Sequence, residues 1–123
     1  MKCKPDTPEP AAPLLSAPVS EALLAEIVRR IRTRVADCCI VLFGSHAYGD
    51  PRAGSDVDLL VIARTNNGTF AMAGEIYAAL SPRSIAIDVV VMTPGMYRQR
   101  REGFDPFLRE VAAKGRVLHG RLP

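Results

Sequence analysis

Apolar residues recur four apart at Leu23, Ile27, Ile31 and Val35, and Leu24 and Val28 widen the stripe. That spacing predicts an amphipathic helix over residues 20–36, with Ser20 as its N-cap. The pattern then changes period. Cys38-Cys39-Ile40-Val41-Leu42-Phe43 is a nearly continuous apolar run stopped by Gly44, which predicts a buried central strand. Ser55 to Ile62 and Ile85 to Met92 are rich in β-branched residues and predict two more strands. Between them Asn66-Asn67-Gly68 signals a turn, and Thr69 to Leu80 reads as a helix in spite of Gly74. Thr93-Pro94 and Asp105-Pro106 each set a capping residue before a proline suited to the first helical position. The second pair opens a helix over Pro106 to Lys114, closed by Gly115 and followed by a short extension, Arg116 to His119. Helices alternating with strands predict an α/β (α+β) domain with a small β-sheet.

Composition narrows the class. The chain has 123 residues, 48% hydrophobic and 24% charged, which suits a globular domain and excludes wholesale disorder. Pro5, Pro8, Pro10, Pro13 and Pro18 fall in the first eighteen residues, so residues 1–18 are expected to be a flexible Pro-rich arm and residues 19–123 the folded domain. No apolar run approaches the roughly 18 residues that span a bilayer, so no membrane segment is expected. Sixteen Lys and Arg against thirteen Asp and Glu leave a net charge of +3, compatible with an anionic ligand but too mild to point to nucleic acid. Direct nucleic-acid binding is not expected. Arg29, Arg30, Arg32 and Arg34, on the polar face of the first helix, and Arg98, Arg100 and Arg101 read as solvated surface. Cys3, Cys38 and Cys39 offer neither an even disulfide framework nor a C-x-x-C pair, and a reduced, cytoplasmic protein fits them.

Three carboxylates stand out. Asp56 and Asp58 open a strand whose other residues are apolar, and period two turns them to one face about 6.6 Å apart at Cα. Asp88 interrupts the apolar run Ile85 to Met92. Like charges on a core strand repel and lose hydration, so something must compensate them. Taken singly, each acid is explained by a turn or an exposed edge. Taken together, they form a hard-oxygen site for divalent metal, with Mg²⁺ the usual occupant where phosphates supply further ligands. Gly44-Ser45 directly follows the first strand, where a missing Cβ admits a ligand to the backbone and a hydroxyl can donate to an anionic oxygen. No Walker-type phosphate loop is present.

Gly44-Ser45, ten intervening residues from His46 to Ser55, and then Asp56-Val57-Asp58 resemble the hallmark motif of the polymerase-β-like nucleotidyltransferase superfamily. The longer string GSHAYGDPRAGSDVDLLVIA resembles its minimal nucleotidyltransferase (MNT) branch, and Asp88 lies in the strand where that family has its third acid. The resemblance implies a small mixed β-sheet flanked by helices, the family's palm. It implies two Mg²⁺ ions and a nucleoside triphosphate, usually ATP, as source of the transferred nucleotidyl group. Gly44 and Ser45 would hold the triphosphate, Asp56 and Asp58 would ligate both metals, and Asp88 would ligate the catalytic metal and help to deprotonate the acceptor. Relatives often carry Arg where this chain has Tyr48, and Arg52 is the replacement within reach in sequence.

Residues 19–123 leave no room for an appended acceptor-binding domain, so the acceptor is expected to come from elsewhere. The resemblance then favours the antitoxins of HEPN/MNT toxin-antitoxin pairs, which adenylylate a tyrosine of a HEPN ribonuclease toxin. Two alternatives stay open: a non-catalytic antitoxin acting by occlusion, and an antibiotic nucleotidyltransferase acting as an oligomer.

Overall fold

A computed structural model describes residues 19–48, 56–82 and 85–123, and the expectations for the arm 1–18, for Arg52 and for Ser55 lie outside them. Helix α1 spans Glu21–Arg32, strand β1 Cys38–Phe43, helix α2 Ser45–Tyr48, strand β2 Val57–Ala63 and helix α3 Thr69–Leu80. Strand β3 spans Ile87–Met92, helix α4 Pro94–Glu102, helix α5 Pro106–Lys114 and strand β4 Arg116–His119.

The caps read from sequence are formed. Ser20 accepts the Leu23 N–H at 3.1 Å and Thr93 the Met96 N–H at 3.1 Å. Asp105 accepts the N–H groups of Phe107 and Leu108 at 3.0 and 3.3 Å. Helix α1 ends at Arg32, before residue 36: Arg34 and Val35 both turn their N–H groups back to the Ile31 carbonyl, at 3.0 and 2.9 Å. That turn still buries Val35 in the core.

The sheet is mixed, with strand order β3-β2-β1-β4. β1 is antiparallel to β2 and β4, whereas β2 and β3 are parallel and need the crossover that α3 supplies. The parallel ladder starts at Val57 and Ile87, two residues into each predicted strand. The stretch after Gly115 forms the edge strand β4, a role that its four residues do not announce in sequence.

Period two splits the apolar residues of the central strands between two faces. Ile40, Leu42, Leu59 and Val61 pack with Ile27 and Ile31 of α1 and Ile76 of α3. Val41, Leu60 and Ile62 pack with Tyr97 of α4 and Leu108 and Val111 of α5. Helices therefore cover both faces, and β1, together with β2 beyond Asp58, can be apolar on both.

On the surface, Arg29 and Arg30 both bond the Glu26 carboxylate, with N–O distances of 2.6 and 2.8 Å at the closest. These hydrogen bonds, Arg29's foremost, lower the Glu26 pKa to about 2. Arg30 also donates to the carbonyls of Leu80 and Pro82 at 3.4 and 3.2 Å, so part of the basic face fastens α1 to the end of α3. Among the described residues, no helix is long and apolar enough to cross a membrane.

Candidate active site

The polar residues of the sheet gather at one end. Asp58 is the second residue of β2 and Asp88 the second residue of β3, and the parallel register pairs them directly. Partners in a parallel ladder share a face and lie about 4.8 Å apart at the backbone. Asp56 precedes β2 by one residue, and Phe43, the last residue of β1, is the antiparallel partner of Asp58. The Phe43 ring meets that of Phe107 edge-on, with centroids 5.1 Å apart and planes at 80°, which walls one side of the site with apolar surface.

Electrostatics bind the three acids into one unit. Asp58 is half-buried, while Asp56 and Asp88 are exposed. Burial pushes the Asp58 carboxyl above the usual range, the charges of Asp88 and then Asp56 push it the same way, and His46 partly opposes them. No described Lys or Arg forms an ion pair with any of the three. Asp88 lies on an edge strand, as its single-residue reading allowed, yet the register still sets it beside Asp58. Among the described residues, no three His, Cys, Asp or Glu side chains close into a finished metal cage. The donor set nevertheless suits a hard divalent cation, because its carboxylates offer oxygen only and, among the described residues, carry an excess of negative charge that His46 opposes only in part.

Gly44 completes the site from β1. Its φ is +77°, a left-handed conformation that other residues adopt at a cost. A Cβ there would also run into the Asp58 carboxylate, with Oδ2 as its nearest atom and Cγ at 3.1 Å. The Gly44 backbone thus lies directly against the carboxylate. Ser45 opens α2 immediately afterwards, and the N–H groups of Ala47 and Tyr48 both bond the Gly44 carbonyl at 3.0 Å. The Lys114 ammonium lies 5.6 Å from the centre of the Tyr48 ring, bringing a positive charge beside the end of α2.

Two participants are missed by the sequence reading. The Tyr77 hydroxyl, on α3, accepts the Val89 N–H at 2.8 Å and donates to Asp88 Oδ1 at 3.2 Å, satisfying an edge-strand amide and holding the carboxylate beside it. Eleven residues separate Tyr77 from Asp88, and no local spacing signals that contact. His46, which sequence gave no role beyond the spacing of the motif, accepts the Val19 N–H through Nδ1 at 3.1 Å and lies close enough to influence Asp58. Its place directly after Gly44-Ser45 was the available signal.

A family model for the nucleotidyltransferase domain matches residues 24–119. No curated protein matches in sequence. Solved structures share the fold. One is a toxin-antitoxin with AMP-PNP, 24% identical with a TM-score of 0.51, covering 80% of this chain and 73% of its own. A second is a mutant of the toxin-antitoxin MntA-HpeT, 22% identical with a TM-score of 0.56, covering 79% of this chain and 72% of its own. A third is a nucleotidyltransferase from Sulfolobus solfataricus, so described provisionally, 20% identical with a TM-score of 0.54, covering 80% of this chain and 79% of its own. The family match takes in Gly44, Ser45 and all three acids on a mixed sheet flanked by helices, and on that ground the chain belongs to the nucleotidyltransferase-domain family, with its polymerase-β-like fold.

Proposed function

We propose that this protein is a Mg²⁺-dependent nucleotidyltransferase and the antitoxin of a HEPN/MNT pair, transferring AMP from ATP to a tyrosine of its HEPN ribonuclease toxin. The observation that carries the reading is the register pairing of Asp58 with Asp88 beside Gly44, with Asp56 adding its charge. A toxin-antitoxin with AMP-PNP among the structures of this fold supports both the nucleotide and the kind of partner.

In this account Asp56 and Asp58 would hold two Mg²⁺ ions, and Asp88 would be a further ligand of the catalytic one. Bound there, the metal supplies neutralisation of the triphosphate charge and polarisation of the phosphoryl group. The backbone at Gly44 and the Ser45 hydroxyl receive the triphosphate. Asp88 accepts the proton of the toxin's tyrosine hydroxyl, whose oxygen bonds the α-phosphorus as the bond to the β-phosphate oxygen breaks and pyrophosphate leaves. Tyr77 keeps Asp88 aimed, and the wall of Phe43 and Phe107 limits water on one side. Positioning and charge stabilisation supply most of the rate in such transfers, which suits a site built around acids. A toxin that cleaves cellular RNA sets the place of action in the cytoplasm.

The test is incubation with Mg²⁺, ATP labelled at the α-phosphate and the HEPN protein encoded next door. Label on a toxin tyrosine, lost in Asp56→Asn with Asp58→Asn together with inhibition, supports the proposal. Inhibition that survives the double substitution would mean occlusion, and label appearing on an aminoglycoside and not on the protein would mean a small-molecule transferase.

A further inference from the structure

The opposite end of the sheet carries a second concentration of charge. Where β1 begins at Cys38 and β2 ends at Ala63, an open cleft of about 550 Å³ is lined by Arg64, Arg98 and Arg121, with Asp37 as the acid facing them. The three arginines come from the segment after β2, from α4 and from the segment after β4. All three are exposed, and none takes part in an ion pair or side-chain hydrogen bond among the described residues. The neighbouring arginines of α4 are engaged otherwise: Arg100 bonds Asp105 at 2.8 Å, and Arg101 lies over the Tyr97 ring at 5.6 Å and donates to the Pro123 carbonyl at 3.0 Å. Of the basic segment 98–101, Arg98 is the member turned to the cleft.

Three guanidinium groups outnumber the Asp37 carboxylate and the carboxylate of Pro123, which also lines the cleft and is met by Arg101, so the concavity keeps a positive excess. Each guanidinium presents a planar fork that matches phosphate oxygens two at a time. Pro94 also lines the cleft, so the first turn of α4 brings the positive end of its dipole to the rim. The volume falls within the range of small-molecule sites. We infer that this cleft binds an anion bearing two or more phosphate charges, either inorganic polyphosphate or the phosphate tail of a nucleotide, at a site separate from that of Asp58 and Asp88. The inference does not rest on the transfer reaction proposed above.

The test is calorimetric titration of the full chain at low salt without divalent cation, using pyrophosphate, ATP and an oligo-glutamate peptide in turn. The expected result is saturable binding of pyrophosphate that persists in Asp58→Asn with Asp88→Asn, weakens at least tenfold in Arg98→Gln with Arg121→Gln, and is partly restored by Lys at the same two positions. Thermal melting of each variant confirms that these exposed substitutions leave the fold intact. Equal affinity for pyrophosphate and ATP assigns the site to the phosphate groups alone, whereas at least tenfold tighter ATP assigns it to a nucleotide. The inference is overturned by absence of saturable binding at millimolar pyrophosphate, by binding indifferent to Arg98 and Arg121, or by binding of oligo-glutamate in place of pyrophosphate, which would mark a surface for an acidic protein.

Discussion

Asp58 and Asp88 face each other across the parallel ladder of β2 and β3, and the charge of Asp88, added to burial, raises the Asp58 carboxyl above the usual carboxylate range. The folded chain therefore binds the Asp58 proton more tightly than the unfolded chain, and Asp58 lowers stability as pH rises from the ordinary value of 3.8 through the raised folded value. Asp58→Asn removes that penalty. Its melting temperature should exceed the wild type's by a few degrees at pH 7 and lose the advantage below pH 3.8 in a pH series of thermal melts. Nucleotidyl transfer should fall by on the order of 10²- to 10³-fold. Higher stability with lower activity marks a residue retained for chemistry and not for folding.

Gly44→Ala tests the close approach of β1 to the same carboxylate. The substitution forces a side chain into positive φ and drives its Cβ into Asp58. Chemical denaturation should show a loss of about 1–3 kcal/mol. Gly44→Ala should also weaken binding of an ATP analogue, which fluorescence titration of the folded fraction would measure.

Tyr77→Phe deletes one hydroxyl that serves two partners. The Val89 amide loses its acceptor and Asp88 loses a donor. Amide exchange at Val89 should quicken, and stability should drop by about 0.5–1.5 kcal/mol. For a positioning residue, kcat is expected to fall several-fold while KM for ATP stays nearly unchanged. A purely structural role would leave kcat of the folded enzyme untouched.

Asp105 titrates with the opposite sign. Burial pushes its carboxyl up, but hydrogen bonds from the Leu108 N–H and from Arg100 outweigh that and hold it below the usual range. Its contribution to stability is present above the ordinary value of 3.8 and is lost as pH falls through the lowered folded value. Asp105→Ala should lower the melting temperature by several degrees at pH 7 and by almost nothing near pH 2, leaving transfer intact once folded.

The elements that sequence made legible are those governed by local chemistry. Ser20, Thr93 and Asp105 cap the helices that follow them, and β1 and the part of β2 after Asp58 are apolar because both of their faces are covered. Gly44, Asp56 and Asp58 were legible because a spacing of fixed length joins them, and Asp88 because it interrupts an apolar run. What escaped depends on contacts between distant segments. Arg116 to His119 becomes a strand only because the free edge of β1 receives it, and Tyr77 reaches Asp88 only because the crossover helix lies along β3. The end of α1 at Arg32 was misjudged because Val35 keeps the apolar spacing while sitting in a turn. Arg98, by contrast, could not be told from Arg100 and Arg101 until the tail with Arg121 was in place.

The central claim is that Asp56, Asp58 and Asp88 hold divalent metal under a nucleotide's phosphates beside Gly44. A crystal structure of the protein soaked with Mn²⁺ and a non-hydrolysable ATP analogue, with anomalous scattering collected above the manganese edge, tests it most directly. The account predicts anomalous peaks within coordination distance of Asp58 and Asp88, with the triphosphate against Gly44 and Ser45. Manganese scattered on surface carboxylates, or the nucleotide seated elsewhere with these three acids untouched, would contradict it.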